Sequence, residues 1–351
     1  MATSALDAKP EITAERREFY KRLSKKSAAP LWEVLADIVT VQPKPVGVPA
    51  LWRYDELRAL LMEAGDLITA QEAERRVLIL ENPALAGQSQ ITGTLYAGLQ
   101  LVLPGEVAPS HRHTPSALRF VLESEGGYTA VDGERIVMRP GDFIVTPSWT
   151  YHDHGNDSKS PIIWMDVLDL PMINYLAVGF AEHHPRETQP VTRPEGDSLA
   201  RFGAGLFPVD YTPSGGDSPV HCYPYERSRK ALFDAARFAE PHRCHGVKMR
   251  YVNPATGGSP MTTIGTSLQM LPAKFAGAPY RSTDATVYCI KEGRGQSKIG
   301  NEVFSWGPRD IFVVPSWTPV SHQASEQSIL FSASDRPVQL ALHLWREEEM
   351  D

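Results

Sequence analysis

The stretch GDFIVTPSW, residues 141–149, returns as RDIFVVPSW at residues 309–317, which is 168 residues further along the chain. Upstream of it, HRHTPSALRFVLESEGG (111–127) aligns with YRSTDATVYCIKEGRGQ (280–296) at a shift of 169 residues. A single gap reconciles the two shifts. A repeat of this length indicates two copies of one domain and not a solenoid of short units.

Each copy is predicted to consist of short β-strands. Runs such as SALRFVLES, GYTAV and RIVM are rich in β-branched or aromatic residues and are separated by Gly, Asp-Gly and Pro-Gly turns. VDGE (131–134) predicts a hairpin, because Asp-Gly accepts the positive φ values of a tight turn. Together with 29 prolines and 26 glycines, these runs predict a mainly β sandwich or barrel, of which the jelly roll is one form.

Helices are predicted outside the two copies. TAERREFYKRLSKKS begins at Thr13, a favourable N-cap residue. YDELRALLMEAG (54–65) is amphipathic and is expected to end at Gly65 as a C-cap. Residues 185–230 are rich in Pro, Gly, Asp and Ser and indicate a linker, which RSRKALFDAARF (227–238) follows as a short helix.

Composition and charge exclude several classes of function. The net charge of −7 disfavours a nucleic-acid or anionic-membrane partner. No apolar run reaches the roughly 18–20 residues of a transmembrane helix, and the N-terminal MATSALDAKPEITAERREF has no apolar core of a secretory signal. Three widely spaced cysteines (Cys222, Cys244 and Cys289) argue against a disulfide framework and for a cytoplasmic protein.

Two histidines, His111 and His113, are separated by one residue, so on a strand they share a face. Alone, such a pair can bind one cation or simply face water. The spacing G-x5-H-x-H from Gly105, followed by G-x5-P-x-W-x2-H-x3-N from Gly141, resembles the two motifs of the cupin superfamily. That resemblance implies that His111, His113 and His152 converge inside a β-barrel and bind a metal.

Cupins often add a glutamate ligand four or five residues after the second histidine, where this chain has Ala117 and Leu118. The expected ligand set is therefore three neutral imidazoles, which leaves coordination positions open, as in catalytic sites. Imidazole suits Fe, Zn, Ni and Cu, so the ligands alone do not select the metal.

The second copy lacks this ligand set. Tyr280, Ser282 and Val320 stand at the positions of His111, His113 and His152, and only His322 remains, at the position of His154. We therefore expect the second copy to be structural and free of metal.

Longer stretches resemble gentisate 1,2-dioxygenases, among them LYAGLQLVLPGEVAPSHRHTPSALRF, QPVTRPEGDSLARFGAG, MRYVNPATGG and GAPYRSTDATVYC. The likeness runs from about residue 15 to residue 345, and salicylate and 1-hydroxy-2-naphthoate dioxygenases share the frame. The resemblance implies a mainly β bicupin, with two jelly-roll β-barrels and N-terminal helices. It also implies a homotetramer with one Fe(II) per subunit.

We expect four segments from this resemblance. They are an N-terminal helical arm (1–70), a metal-bearing N-terminal cupin (71–185), a linker with a short helix (186–245) and a metal-free C-terminal cupin (246–351).

The implied reaction opens an aromatic ring with dioxygen as co-substrate. A ring that carries a carboxylate and an ortho hydroxyl can chelate Fe(II), and neutral imidazoles do not repel such an anion. With gentisate, cleavage between the carboxyl-bearing and hydroxyl-bearing carbons would yield maleylpyruvate. Salicylate or a 5-substituted salicylate, such as 5-nitrosalicylate, is the alternative substrate. A non-catalytic metal-binding bicupin, or a zinc or manganese cupin that performs isomerisation or hydrolysis, is the alternative function.

The resemblance also assigns substrate-binding residues. Arg119 lies six residues after His113 and so shares its face, where a guanidinium suits a carboxylate. Arg75 matches an arginine that closes over the substrate carboxylate, with Arg76 as the near-equal alternative. Tyr96 and Gln100 match residues that line the substrate cavity. Each of these side chains could instead be surface charge or simple packing.

The remaining assignments follow from the same family. His154 and Asp166 are candidate catalytic groups beside the substrate, although His154 could be a surface histidine and Asp166 could cap a turn. Val167 stands where the family usually has glycine, and a larger side chain there would change which ring substituents fit. Trp149 and Trp317 recur in both copies, so we expect them in the core.

Overall fold

The computed structural model describes residues 12–213 and 216–351. They divide into two compact units, with the boundary between Lys44 and Pro45. Residues 1–11 of the predicted helical arm lie outside the described residues, and so does that part of the N-terminal stretch considered for a secretory signal. Positions 214 and 215 of the predicted linker also lie outside them. The division into four segments stays a prediction.

The described residues form eight α-helices and one turn of 3₁₀-helix at Pro83–Leu85. The α-helices are α1 (Ala14–Ser24), α2 (Leu31–Ile38), α3 (Tyr54–Leu67), α4 (Ala70–Ala73), α5 (Leu170–Tyr175), α6 (Asp197–Phe202), α7 (Tyr225–Ala236) and α8 (Arg336–Ala341). None of these described helices combines the length and the apolar character that crossing a bilayer requires.

The strands up to the middle of the chain are β1 (Ala50–Trp52), β2 (Val77–Ile79), β3 (Tyr96–Val102), β4 (Val107–His113), β5 (Ala117–Glu123), β6 (Tyr128–Val131), β7 (Glu134–Val137), β8 (Phe143–Thr146), β9 (His152–Gly155), β10 (Ile162–Leu168), β11 (Ala181–His183) and β12 (Cys222–Tyr223). Those that follow are β13 (Val247–Arg250), β14 (Gly265–Leu271), β15 (Phe275–Ala276), β16 (Tyr280–Ser282), β17 (Thr286–Glu292), β18 (Gly295–Ile299), β19 (Glu302–Trp306), β20 (Ile311–Val314), β21 (Val320–Ala324), β22 (Ser328–Ser334) and β23 (Glu347–Glu349).

The first unit contains α1 and α2. Thr13 caps α1 as predicted, because its hydroxyl oxygen accepts a hydrogen bond from the backbone N–H of Arg16 at 3.3 Å. Glu33 on α2 accepts hydrogen bonds from the Arg16 guanidinium, at 3.0 Å, and from the Tyr20 hydroxyl. These contacts connect the two short helices.

The second unit contains two β-barrels with the same strand order. One sheet of the first barrel runs β12-β8-β5-β10-β3-β2, and its counterpart in the second barrel runs β1-β20-β17-β22-β14-β13. The opposing sheets are β11-β4-β9-β6-β7 and β19-β18-β21-β16-β23. The sequence repeat is therefore a structural repeat. Strand β1 lies within the segment predicted as a helical arm, yet it completes the second barrel's sheet by pairing with β20.

The two six-stranded sheets pack back to back through an apolar layer. On β5, Leu118 and Phe120 face this layer, and Phe331 on β22 meets Phe120 in a stacked pair with ring centroids 4.2 Å apart. Because neighbouring strand residues point to opposite faces, Arg119 and Val121 point into the first barrel. The apolar layer thus determines which residues line each barrel.

Buried aspartates connect the barrels reciprocally. The Thr94 hydroxyl, before β3, donates to Asp335 at 3.0 Å, and the Thr263 hydroxyl, before β14, donates to Asp169 at 2.6 Å. Asp310 accepts the first backbone N–H of α3, from Tyr54, at 3.0 Å, just as Asp142 accepts that of α7 at 2.9 Å. Through these aspartates, each barrel therefore binds the segments that lie just before the other barrel in the sequence.

Two local predictions about glycine and hairpins have different outcomes. The hairpin at residues 131–134 is confirmed, with Asp132 and Gly133 at φ values of 48° and 77°. The predicted end of α3 at Gly65 is wrong, since the helix continues to Leu67. A Cβ at Gly65 would come within 3.2 Å of Leu101 and Leu103, so this glycine allows the helix to approach the sheet.

The recurring tryptophans are turn residues, and the prediction that they lie in the core is wrong. Trp149 is 40% exposed, and Trp149 and Trp317 have φ values of 59° and 56°. Arg112 stacks on Trp149 and Arg281 on Trp317, each with 4.5 Å from guanidinium carbon to ring centroid. The repeat is thus conserved between copies as a strained turn covered by a cation–π contact.

We expect Phe331→Ala to lower the free energy of unfolding by about 3–5 kcal/mol, because it leaves a cavity between the two sheets. Urea unfolding followed by intrinsic fluorescence measures this change. Phe238→Ala is the matched control, since Phe238 is 88% exposed and should change stability by less than about 0.5 kcal/mol. Equal effects of the two substitutions would contradict the central position of the apolar layer.

Candidate metal centre

Three histidines converge inside the first barrel. His111 and His113 lie on β4 and His152 lies on β9, where it pairs with His111 in the strand register. One ring nitrogen of each lies within 4.8 Å of those of the other two. Among the described residues, no other group of three His, Cys, Asp or Glu side chains meets this criterion. The structure therefore brings together the three predicted ligands.

The surroundings keep these imidazoles neutral, as metal ligands must be. Burial lowers the pKa of His111 to about 3, with a further contribution from the nearby Arg75. Burial likewise lowers the pKa values of His113 and His152. Nδ1 of His113 lies 2.7 Å from the Pro115 carbonyl oxygen, and Nδ1 of His152 lies 3.0 Å from that of Thr150.

A carbonyl oxygen only accepts hydrogen bonds, so these Nδ1 atoms carry the proton and Nε2 keeps its lone pair. Two of the three rings are thus oriented by the backbone of the turns that adjoin their strands. The donor set fits a divalent metal held by three neutral nitrogens, with positions left for other ligands.

The structure distinguishes between the two neighbouring arginines. Nη2 of Arg75 lies against the Pro109 carbonyl oxygen and Nδ1 of His111. Arg76 is instead paired with Glu106 at 2.8 Å and also donates to the Ile68 carbonyl oxygen. Arg75 therefore lies beside the histidines, and Arg76 belongs to a buried structural ion pair.

Arg119 and Asp166 lie on adjacent strands of the same sheet, directly opposite each other in register. Nε of Arg119 is 3.7 Å from Oδ1 of Asp166 and makes no hydrogen bond, while Nη1 donates to the Thr146 hydroxyl. Burial raises the pKa of Asp166 to about 6, although the Arg119 charge acts in the opposite direction. The pair places one cation, and a carboxyl that titrates near neutrality, inside the barrel.

Further polar groups surround the histidines. His154 is buried, its ring lies 5.8 Å from that of His152 and 4.9 Å from that of Trp164, and its Nδ1 has no hydrogen-bond partner within the described residues. Nε2 of Gln100 is also buried and unpartnered. The Tyr96 hydroxyl lies over Gly98, where an added Cβ would come within 2.9 Å of it. Buried polar atoms without partners are typical of ligand sites.

Val167 does not line this site, which corrects its assignment to the substrate cavity. It is fully buried in the apolar layer between the sheets, on the face of β10 opposite to Asp166. Adjacent strand residues alternate between faces, so Asp166 and Val167 cannot both face the barrel interior. Any influence of Val167 on substrate choice would act through packing behind the sheet.

Sequence reasoning missed Thr146 and Trp164. Thr146 accepts a hydrogen bond from Arg119 and Trp164 packs beside His154. The repeat contained a signal for Thr146, since the aligned residue of the second copy is Val314. A hydroxyl present only in the histidine-bearing copy marks a polar contact specific to that barrel.

The second barrel retains one buried histidine at the position of His154. Nδ1 of His322 lies 2.8 Å from the Ser297 hydroxyl, which also accepts a hydrogen bond from the Trp306 indole. Burial lowers the pKa of His322 to about 3. None of the residues at the positions of the three ligands is a histidine, so this barrel lacks the three-imidazole set of the first.

Comparison with known proteins gives a consistent result. The Cupin domain family matches residues 98–168. Gentisate 1,2 dioxygenase 1 of Aquipseudomonas alcaligenes is 56% identical over 339 residues, which cover 97% of this chain and 98% of that protein. A 5-aminosalicylate 1,2-dioxygenase of a Comamonas species is 34% identical, with 98% and 92% covered.

Solved structures agree over the whole length. A salicylate 1,2-dioxygenase from Pseudoaminobacter salicylatoxidans, solved as an adduct with gentisate, superposes with a TM-score of 0.92 at 36% identity. The match covers 99% of this chain and 97% of that one. The bicupin fold expected from the sequence is thereby confirmed.

We expect His322→Asn to make stability less dependent on pH. The native state holds this imidazole neutral, with its pKa at about 3, whereas the unfolded chain takes up a proton below about pH 6.5. The free energy of unfolding should therefore decrease as the pH is lowered below 6.5. In the variant, the slope of this free energy against pH should be smaller by up to ~1.4 kcal/mol per pH unit.

Urea unfolding at pH 7.5, 6.0 and 5.0 measures this slope. The control is His343→Asn, which changes an exposed histidine that already has a positive φ. A slope in His322→Asn identical to that of the unsubstituted protein would contradict the prediction.

Proposed function

Because the chain belongs to the gentisate 1,2-dioxygenase family, we propose that it opens the ring of gentisate between the carboxyl-bearing and hydroxyl-bearing carbons. Both atoms of dioxygen enter the product, maleylpyruvate. The observation that carries this proposal is the convergence of three neutral imidazoles with Arg75 and Arg119 in one barrel interior. A metal-storage protein has no need for arginines beside its ligands.

His111, His113 and His152 would hold one Fe(II) per chain. When bound, iron supplies Lewis acidity and exchanges electrons with the ring and with dioxygen. The three ligands contribute no negative charge, so the net positive charge of the site attracts an anionic substrate. Zinc or manganese in the same position would instead indicate isomerisation or hydrolysis.

The arginines are proposed to bind and orient the substrate. Nε of Arg119 is buried without a hydrogen-bond partner, so a substrate carboxylate or phenolate oxygen can accept from it. Thr146 and Asp166 hold the guanidinium in its orientation. Arg75, beside His111, provides a second cation for the carboxylate.

The remaining polar groups are proposed to handle protons and the second ring hydroxyl. With a pKa of about 6, the Asp166 carboxyl can take up a proton near neutral pH. Burial keeps His154 neutral, so it can donate or accept a hydrogen bond at its unpartnered Nδ1. Gln100 and Tyr96 complete the polar wall, while the buried Trp164 helps to exclude water.

We further propose a cytoplasmic homotetramer. The bulk charge and the cysteines without disulfides support the compartment, and the tetramer rests on family membership alone. Light scattering should give a mass four times that of the 38.8 kDa chain.

Metal content provides the first test. His152→Ala should lose iron and ring-cleaving activity, because two imidazoles remain for an ion that the site holds with three. The matched control is His322→Asn in the second barrel, which should keep one iron per chain. Anaerobic reconstitution with Fe(II), followed by elemental analysis and circular dichroism, separates loss of metal from loss of fold. Full iron occupancy in His152→Ala would refute the ligand assignment.

The substrate panel provides the second test. We expect gentisate to be cleaved at least about 100-fold more efficiently than salicylate, because buried groups such as Gln100 Nε2 stay unpaired when the second hydroxyl is missing. Oxygen uptake and ultraviolet spectra with gentisate, salicylate, 5-aminosalicylate and 5-nitrosalicylate measure kcat/KM. Faster cleavage of a 5-substituted salicylate would change the assigned substrate but not the reaction. No uptake with any of them, from iron-loaded protein, would favour a binding protein.

A further inference from the structure

The second barrel contains a cavity of about 110 Å³ at the place that corresponds to the metal centre of the first. Its lining includes Tyr280, Ser282 and Val320, the residues that stand where the first copy has its three histidines. The strand pattern has been kept, and the metal ligands have been replaced by two hydroxyl groups and a methyl-bearing side chain. The cavity is therefore a separate compartment with different chemistry.

Strand register identifies the source of charge in this cavity. In the first barrel Val77 on β2 pairs with Gln100 on β3, and in the second barrel Lys248 on β13 pairs with Gln269 on β14. Lys248 therefore takes the place of an apolar residue, and it lines the cavity. The second barrel has gained an amine where the first has a hydrocarbon wall.

The Lys248 ammonium has no counter-ion. Its Nζ makes no hydrogen bond or ion pair in the described part of the chain, and it lies 5.6 Å from the centroid of the Tyr288 ring. Arg336 and Asp284, which also line the cavity, neutralise each other at 3.2 Å. Burial lowers the pKa of Lys248 to about 8, so at neutral pH most molecules carry the charge. The interior thus has an uncompensated positive charge.

Hydrogen-bond donors face the same space. Tyr288, which lines the cavity, carries a hydroxyl that can donate a hydrogen bond. Tyr288 stands at the position of Arg119. Arg250 lies exposed at the rim and adds a second cation. Apolar side chains also line the cavity, namely those of Val314, Val320, Pro337 and Leu340.

We propose that the second barrel binds a small organic monocarboxylate, with its carboxylate on Lys248 and Tyr288 and its hydrocarbon part against the apolar side chains of the lining. The volume limits the size of the ligand. A volume of about 110 Å³ suits one small acid and excludes nucleotides and peptides. The site is independent of the proposed ring cleavage, because it uses none of the residues of the metal centre.

Isothermal titration calorimetry with benzoate tests the proposal on the full-length, metal-loaded protein. The Arg119→Gln background weakens carboxylate binding in the first barrel, so that the second barrel dominates the signal. In that background we expect Lys248→Met to weaken benzoate binding about 10-fold or more, since it removes a charge-assisted hydrogen bond. Lys298→Met, which removes an exposed lysine on β18 of the same barrel, should change the affinity less than about twofold.

Ligands that lack one feature of benzoate test its chemical class. Benzamide has the same shape without the charge, and chloride has the charge without the hydrocarbon part. Both should bind at least about 10-fold more weakly than benzoate. An affinity in Lys248→Met within about twofold of the background would overturn the proposal, as would binding of benzamide or chloride as tight as that of benzoate. Failure of ring cleavage would leave these results unchanged.

Discussion

The fold and the site both depend on the apolar layer between the two six-stranded sheets. Phe120 and Phe331 stack at its centre, and burial of this layer is the main hydrophobic gain that joins the barrels. Successive side chains of a strand point to opposite faces of the sheet. When an apolar residue faces the layer, the next residue along the strand therefore faces a barrel interior. Arg119 faces the histidines because Leu118 and Phe120 face the second barrel.

This layer makes each barrel part of the other's support. Asp169 and Asp335 accept hydrogen bonds from threonines of the opposite copy, and Asp142 and Asp310 hold the starts of α7 and α3. Buried charges lower the stability of the fold unless they are paired. The contacts between the barrels offset part of this cost. The buried charges are those of Arg119 and Asp166 in the first barrel and that of Lys248 in the second.

Much of this organisation was predictable because it depends on local chemistry and on the repeat. The Asp-Gly hairpin and the N-cap at Thr13 follow from turn and capping preferences, and the convergence of the histidines follows from the resemblance to the cupin motifs. It was harder to predict which face of the sheet each side chain occupies. Val167 was placed at the cavity, but alternation relative to Asp166 puts it in the apolar layer. The turn at Trp149 and the glycine inside α3 depend on tertiary contacts, which sequence periodicity does not contain.

The two copies also explain why one scaffold can separate catalysis from support. The second copy has Tyr280, Ser282 and Val320 in place of the three imidazoles, and the strand pairings of β16 and β18 with β21 are kept. Burial keeps the imidazoles of the first barrel neutral. This lowers the free energy of unfolding at pH values at which the unfolded chain would protonate them. The residues that would bind a metal therefore lie in the barrel interior, while the residues that join the two barrels lie on the opposite face of the same strands. Val77 and Lys248 occupy the same register position in the two barrels, so the chemistry of a barrel interior can change while the apolar layer on the other face of the sheet is kept.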